Sequence, residues 1–326
     1  MHRLIPRFLV AALACGTLNG SCAAQSSTKT ASADGAASLE KGITLADNGH
    51  CREALPILRK SASVTTDKQL KLKAGLATVR CALSLEQVDA VVNALLWLNR
   101  EFPSDPDVLY VTTHAFSDLS SRSAMQLART APLSVQAHEL DAESLETQGK
   151  WDEARAEYEQ ILKQQPNLPG IHYRLGRVIL SRPATPTTAD DARVEFQLEL
   201  KIDPNNAGAE YVLGELSRQA QQWEDAILHF TRAAKLDPNF ADAFLGLGFS
   251  LNSAGRYPEA IPPLETAVRL QPANPTGHYQ LTIAYGKTGR KQDAEKEMGL
   301  FQQTSEKALK ELHGEGQTPQ TPTPLE

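Results

Sequence analysis

A repeat of fixed length constrains the fold of this chain more than any other feature. Residues 207–240 and 241–274 are two successive blocks of equal length, each written as a pair of short amphipathic helices. A fixed period of 34 residues, as from Ala226 to Ala260, is typical of a helix–turn–helix solenoid. The positions that match between the two blocks are Leu213/Leu247, Gly214/Gly248, Trp223/Tyr257, Ala226/Ala260, Phe230/Leu264, Ala233/Ala267 and Pro238/Pro272.

A ladder of alanines extends the repeat in both directions and predicts five hairpins over residues 133–304. The ladder consists of Ala154, Ala192, Ala226, Ala260 and Ala294. The first interval is longer because extra residues fall in the Pro/Thr-rich segment 181–191, which we expect to lengthen a turn without breaking the stack. We expect each second helix to end at a proline, since proline lacks the N–H group and restrains the residue before it. These prolines are Pro166, Pro204, Pro238 and Pro272.

Small and large residues alternate within each hairpin in a way that predicts close packing. Small residues, among them Ala142, Gly176, Gly214 and Gly248, would let the two helices of a hairpin approach. Large side chains such as Tyr158, Phe196 and Phe230 would fill the space between units. A hairpin of this kind cannot bury both of its apolar faces alone, so stability should come from stacking.

Residues 38–132 read as degenerate copies of the same hairpin. The turn at Asn48-Gly49 precedes a first weak copy of the alanine slot at Ala54. A second hairpin is expected over residues 71–102, and a third over residues 107–132.

Two cysteines fall at suggestive points in this region. Cys51 opens the second helix of one predicted hairpin, and Cys81 lies near the end of the first helix of the next. In an antiparallel stack these points share one end of adjacent helices, whose axes are about 8–10 Å apart. That spacing allows the Cα separation a disulfide requires, so we expect a Cys51–Cys81 bridge. The alternative is a pair of buried thiols that only pack.

The chain termini predict an exported protein with flexible ends. Residues 1–24 combine Arg3 and Arg7, a short apolar core and small residues before Gln25, which are the three parts of a secretory signal peptide cleaved after Ala24. The lipoprotein alternative needs a Leu-rich box before Cys15 or Cys22, and both fit it poorly. We expect a flexible leader over residues 25–37, a short helix from residue 305 and a disordered tail up to residue 326. The expected location is the periplasm or the outside of the cell.

Composition excludes two further classes of protein. The formal net charge is −6 and the pI is near 5.8, which argues against a nucleic-acid-binding protein with its basic face. No apolar run approaches the roughly 20 residues that a membrane-spanning helix needs, so no transmembrane anchor is expected.

The repeat resembles the tetratricopeptide repeat (TPR) family, strongly over residues 133–303 and loosely over residues 39–132. The resemblance implies an all-α fold, a right-handed α-solenoid of helix–turn–helix hairpins whose first helices line a concave groove for peptides or extended protein segments. Counting each unit from Val135, Pro169, Ala207, Ala241 and Pro275, the groove would use positions 2, 5, 9 and 12. The candidates are Glu139, Glu143, Glu146, Tyr173, Arg177, Leu180, Tyr211, Glu215, Arg218, Leu245, Phe249, Asn252, Tyr279 and Ile283.

These candidates do not form the Lys/Asn/Arg clamp with which one TPR subgroup captures chaperone C-termini. The mixture of tyrosines with a few arginines suits an extended peptide better than an anion. For any single tyrosine, the alternative is that it only covers a gap between helices.

No constellation of residues predicts catalysis, a metal site or a cofactor. His138, His172 and His278 share position 4 of their units, but they lack a third ligand, and no HExxH or CxxC pattern occurs. No GxSxG, Walker or GxGxxG motif is present. Carboxylate pairs such as Asp190/Asp191 begin second helices, where they favour the positive end of the helix dipole.

The sequence therefore predicts a non-enzymatic scaffold or adaptor that holds a segment of a partner protein, for which other envelope proteins are candidates. A carrier of an envelope polysaccharide is the alternative, and it would need an aromatic, nearly neutral groove. A catalytic role in the N-terminal third would require that region to fold as something other than hairpins.

Overall fold

The computed structural model describes residues 24–61 and 66–313, and these residues contain helices and turns without any strand. The helices of the first part are α1 (Ala24–Asp47), α2 (Cys51–Ser61), α3 (Lys68–Ser84), α4 (Val88–Glu101) and α5 (Pro106–Thr130). Those that follow are α6 (Val135–Thr147), α7 (Trp151–Gln164), α8 (Ile171–Ser181), α9 (Thr188–Ile202), α10 (Ala207–Gln219), α11 (Trp223–Leu236), α12 (Ala241–Ser253), α13 (Tyr257–Leu270), α14 (Pro275–Lys287) and α15 (Lys291–His313).

The helices form two compact units, which divide within α5 between Gln126 and Leu127. In the first unit α1 packs on α2 and α3 on α4, while α2 also contacts α3. In the second unit five hairpins follow one another from α6/α7 to α14/α15, and each second helix also contacts the first helix of the next hairpin. This pattern of consecutive contacts is that of an α-solenoid, as the 34-residue period predicts.

The second unit is held together by the slots that the sequence predicts as packing positions. Four ladder alanines, Ala154, Ala192, Ala226 and Ala260, are fully buried. A Cβ added at Gly176 would lie 2.8 Å from the ring of Phe196, and one at Gly214 would lie 2.8 Å from the ring of Phe230. Because real Cβ contacts are longer than this, only glycine lets α8 approach α9, and α10 approach α11, so closely.

In four of the five hairpins the turn between the two helices uses a left-handed backbone conformation. The turn residue is Gly149, Gly255 or Gly289 in three of the five hairpins, with φ between +70° and +81°. In the hairpin α10/α11 the same position is occupied by Gln221, with φ of +57°. Since a side chain makes this region costly, the packing of the surrounding helices must hold Gln221 in place.

Four of these five hairpins contain a histidine–glutamate pair between their two helices. In each pair the imidazole Nδ1 lies 2.6 Å from a glutamate Oε2 and donates to the carboxylate. In the third hairpin the order of the residues is exchanged. The pairs are His138/Glu157, His172/Glu195, Glu210/His229 and His278/Glu297. The histidines at position 4 are therefore bound to carboxylates across the hairpin.

A buried carboxylate fixes the start of α8. Glu199 of α9 is fully buried, and its Oε1 accepts a hydrogen bond from the N–H of Gly170 at 2.8 Å. Its Oε2 accepts from the N–H of Tyr173 at 3.2 Å. The first N–H groups of a helix have no partner within the helix, and a negative charge there is favoured by the helix dipole. Glu199 thereby positions α8, which carries the groove candidates Tyr173 and Arg177.

The first unit contains a disulfide between Cys51, at the first position of α2, and Cys81 in α3, with their Cα atoms 4.9 Å apart. The bridge joins two neighbouring hairpins across 30 residues of sequence. Cys81 is fully buried among apolar residues, including Ala82 and Val91, that form the core of this unit.

Two predictions for this region are wrong in their secondary structure. Residues 25–37 were predicted as a flexible leader, but α1 includes them; the segment contains no proline and is rich in alanine, the strongest helix former. A hairpin was predicted over residues 107–132, but α5 runs through that segment as one helix. Its interior has no glycine or proline to make a turn, and the apolar residues Tyr110 and Phe116 are exposed.

Other predictions about the termini lie outside the described residues. These are the signal peptide, apart from Ala24, and the disordered tail over residues 314–326. The predicted short helix from residue 305 is the continuation of α15. In the ranges that the structure does describe, no helix is both long enough and apolar enough to cross a membrane.

We expect the disulfide to stabilise the first unit by about 2–4 kcal/mol, the range typical of native bridges that close loops of this size. Replacing both residues, Cys51→Ala and Cys81→Ala, should accelerate hydrogen exchange in α2 and α3. Exchange in α10 and α11 should not change. Intact mass after alkylation of unreduced protein that begins at Gln25 should show no modified thiol, and two alkylated thiols would contradict the bridge.

Removing the carboxylate of Glu199 should destabilise the second unit. Glu199→Ala leaves the partly buried N–H groups of Gly170 and Tyr173 without their acceptor, which should cost about 2 kcal/mol in the free energy of unfolding. Denaturant unfolding measures this directly. The control is Gln197→Ala on the same helix, because Gln197 is exposed and should change stability by less than about 0.5 kcal/mol. Equal stability of the two variants would show that α8 does not need this carboxylate.

Candidate interaction groove

The groove candidates lie on the first helices of the five hairpins in the second unit, namely α6, α8, α10, α12 and α14. Each of three first helices begins at a polar side chain that caps it: Ser134 accepts from the N–H of Ala137, Asn206 from that of Ala209, and Asn274 from that of Thr276. The caps fix where the groove positions start. Towards the C-terminal end, α10 contacts α12 and α12 contacts α14, so these first helices lie side by side.

Five predicted residues line one cleft between α10 and α12. The cleft has a volume of about 270 Å³, and its predicted residues are Tyr211, Glu215, Arg218, Leu245 and Phe249. Three more residues complete its lining: Asp242, Gly246 and Thr276. Positions taken from the resemblance to the tetratricopeptide repeat family thus converge on one cleft.

The walls of the cleft are aromatic and are held by the core beneath. The ring of Tyr211 packs on Phe240 and Phe230, with ring centroids 4.7 and 5.8 Å apart. Phe249 lies 6.4 Å from the ring of Trp223. The guanidinium of Arg218 covers Phe249 at 5.2 Å from its centroid, a distance at which a cation and a ring attract. The cleft is therefore rigid on its aromatic side.

The cleft has a negative electrostatic environment. Arg218 donates to both oxygens of Glu215 at 2.7–3.2 Å, and this hydrogen bonding raises the pKa of Arg218. Burial, together with the carboxylates of Glu215 and Asp242, raises the pKa of Tyr211 to about 12. The phenol of Tyr211 therefore stays protonated at neutral pH and can donate a hydrogen bond to a ligand.

The acidic candidates of the first hairpin are engaged within the protein. Arg174 of α8 lies 2.7 Å from Glu143 and 3.7 Å from Glu139. Glu146 accepts a hydrogen bond of 2.5 Å from the hydroxyl of Tyr158, and burial together with this bond raises the pKa of Tyr158. These contacts join α6, α7 and α8, and they hold the three carboxylates in place while only one cation, Arg174, offsets their charge.

The remaining candidates differ in how accessible they are. Asn252 is buried, and its Nδ2 donates to the backbone oxygen and to Oε1 of Gln280 at 3.0 and 2.9 Å. Tyr173 packs against Phe196 at 5.7 Å and covers Gly208. Tyr279 is 43% exposed and lies 5.3 Å from the ring of Phe301. Arg177 and Leu180 are exposed, and Ile283 is half-buried.

Position 2 of each unit was named as a groove position, but no candidate residue was taken from it. Asp242 and Thr276 occupy position 2 of their units and line the cleft, but the candidates came only from positions 5, 9 and 12. Arg174 was missed because its partners lie on the preceding hairpin, 31 residues or more away. No single-helix pattern reveals a contact of that kind.

A second cleft lies in the first unit between α2, α3 and α4, with a volume of about 540 Å³. Its lining includes Leu58, Arg59 and Trp97, none of which was a predicted site residue. Within the ranges that the structure describes, no group of three or more His, Cys, Asp or Glu residues could hold a metal ion.

Two family models match segments of the second unit. A tetratricopeptide repeat family model matches residues 211–275, and a second tetratricopeptide repeat model matches residues 142–178. No curated protein matches the chain.

Several solved structures are similar over little more than half of this chain. MamA shares 25% sequence identity, with a TM-score of 0.47, over 52% of this chain and 96% of its own. YrrB, described as a TPR protein with an unusual peptide-binding site, shares 18% identity, with a TM-score of 0.49, over 58% of this chain and 96% of its own. MamA from Desulfovibrio magneticus RS-1 shares 20% identity, with a TM-score of 0.46, over 56% of this chain and 97% of its own.

The two family-model matches fall on the hairpins of the second unit, where the 34-residue period, the paired helices and the buried alanine ladder coincide. Residues 142–178 and 211–275 of this chain are therefore tetratricopeptide repeats.

Proposed function

We propose that the second unit binds an extended segment of a partner protein along its first helices, and that the protein acts as a scaffold or adaptor without catalysis. The observation that carries this proposal is the convergence of five predicted groove residues on the cleft between α10 and α12. The packing positions of the repeat are filled by other residues, such as Gly214 and Ala226, so these five are available to contact a partner.

The composition of the cleft supports protein recognition. Aromatic and arginine side chains supply most of the affinity at protein interfaces, and Tyr211, Arg218 and Phe249 meet here. A cleft of this size is large enough for one or two side chains, so affinity would be the sum of several such contacts along the unit. Exposed Arg177 and half-exposed Tyr279, on α8 and α14, are suitable additional contacts on either side.

The chemistry of the cleft argues against capture of an isolated anion. Its one guanidinium, that of Arg218, already forms two-oxygen contacts with Glu215. A carboxylate ligand would have to displace Glu215 and would then face Asp242. A peptide segment that offers backbone groups and side chains has no such cost.

The proposed site of action is the periplasm or the exterior of the cell. The signal-peptide pattern over residues 1–24 motivates this proposal, and a Cys51–Cys81 disulfide suits an oxidising compartment. Partners would then be proteins of the same compartment, including other envelope proteins. Detection of the processed chain, beginning at Gln25, in a periplasmic or culture fraction checks the location.

The groove assignment can be tested with a peptide selection against the whole protein. Displayed random dodecapeptides should be enriched by the wild-type chain, and an enriched peptide can be labelled to measure its Kd by fluorescence polarisation. The double variant Arg218→Ala/Phe249→Ala should weaken that peptide at least tenfold, because truncating interface anchors commonly costs about 2 kcal/mol each. Tyr211 is left intact because it packs on Phe230 and Phe240.

The matched control changes an apolar and a basic residue outside the groove. Leu228→Ala/Arg269→Ala alters exposed residues of α11 and α13 and should keep the wild-type Kd. Both variants should retain the helicity and the melting temperature of the wild type. Loss of folding in the groove variant would place these side chains in the core, and equal Kd values for the two variants would place peptide binding elsewhere.

A further inference from the structure

The cleft between α10 and α12 contains one charge that the protein does not neutralise. Its charged side chains are Glu215, Arg218 and Asp242. Arg218 and Glu215 form a two-oxygen ion pair and cancel each other. The carboxylate of Asp242 is exposed, and it forms no hydrogen bond or ion pair with another side chain within 24–61 and 66–313. The cleft is left with one net negative charge.

Several charged groups on the neighbouring helices already have partners of their own. On α10 and α11, Glu210 binds both His229 and Arg232. At the start of α13, Arg256 binds Glu224 and Glu259. None of these cations lies within ion-pair distance of Asp242. The free carboxylate therefore faces the cleft without an internal counter-charge.

The walls beside Asp242 suit the stem of a long basic side chain. Leu245, Phe249 and Tyr211 line the cleft with apolar and aromatic surface. Lysine and arginine bury their methylene stems on such surface while the charged head reaches a polar site. Aromatic faces also attract cations. The raised pKa of Tyr211, caused by burial and then by Glu215 and Asp242, reports the same negative surroundings.

We propose that this cleft selects a lysine or arginine side chain of the bound segment, with its stem against Leu245 and Phe249 and its cationic head at the carboxylate of Asp242. The inference rests on the proposed function, since it names which residue of the partner enters the cleft. An acidic side chain would be repelled by Asp242 and would compete with Glu215 for Arg218. The groove thus discriminates between basic and acidic side chains at one position of its ligand.

Asp242 also lies in the first turn of α12, where a negative charge favours the helix dipole. Asp225 provides the matched control, because it lies in the first turn of α11, is exposed and does not line the cleft. Any effect of the dipole on folding is expected in both positions. Only a role in ligand selection separates Asp242 from Asp225.

The test is selection of displayed random dodecapeptides by the full chain, carried out in parallel with Asp242→Asn, Asp242→Lys and Asp225→Asn. The wild type and Asp225→Asn should enrich peptides with lysine or arginine above their frequency in the library. Asp242→Asn should lose this preference while still enriching peptides. Asp242→Lys should favour aspartate or glutamate instead.

A binding cycle on one selected peptide gives the magnitude. Replacing its lysine by norleucine keeps the stem and removes the charge, and should weaken binding to the wild type about two- to fivefold, as expected for one partly exposed charge pair. Asp242→Asn should bind the two peptides equally, because the coupling is then absent.

The outcomes separate the two proposals. Selected peptides without a basic preference, or a preference that Asp242→Asn retains, would overturn the selection of a basic side chain and leave the groove function in place. Failure of the wild type to enrich any peptide would overturn both proposals.

Discussion

The contact of one aromatic ring with two glycines supports both the core of the second unit and its cleft. Phe230 of α11 is fully buried. A Cβ added at Gly214 of α10 would lie 2.8 Å from this ring, and one at Gly246 of α12 would lie 2.6 Å from it. The ring therefore fills the space between two consecutive first helices and brings their backbones close. Because Gly246 lines the cleft, the same ring that holds the hairpins together also supports the surface proposed to bind a partner.

The repeat was predictable from sequence because its packing slots recur at a fixed interval. Ala226 and Ala260 are fully buried at equivalent positions, and Gly214 and Gly248 lie against the large side chains Phe230 and Leu264, so small residues are required at the same spacing. The period fails where packing no longer repeats. In α5 no glycine or proline interrupts the helix, and only Val108 and Ala115 are buried. The apolar residues of this segment therefore do not form the hairpin that the sequence predicts.

Contacts between helices were the part that sequence could not supply. The histidines at position 4 stood out as a column, but their partners lie 19 or 23 residues away on the second helix. In the third hairpin Glu210 and His229 are exchanged, so position 4 holds a glutamate instead of a histidine. In the fourth hairpin the corresponding positions hold Phe244 and Pro263. A polar pair can be reversed or replaced by apolar residues at little cost when both members change together, so only the structure reveals the common slot.

The candidate groove was predicted at the level of positions but not of available chemistry. Counting along the repeat found Tyr211, Arg218 and Phe249, which do share a cleft, yet it gave equal weight to Glu143, which binds Arg174, and to Asn252, which is buried against Gln280. A groove residue can recognise a partner by charge only if the protein leaves that charge unpaired. By that criterion Glu139 and Glu143, which share the guanidinium of Arg174, are less available to a ligand than a carboxylate without a partner. Recognition by charge then depends on Asp242. Nothing in the sequence distinguishes this aspartate from the other acidic residues, and its importance follows only from the structure, in which the charged residues beside it pair with one another.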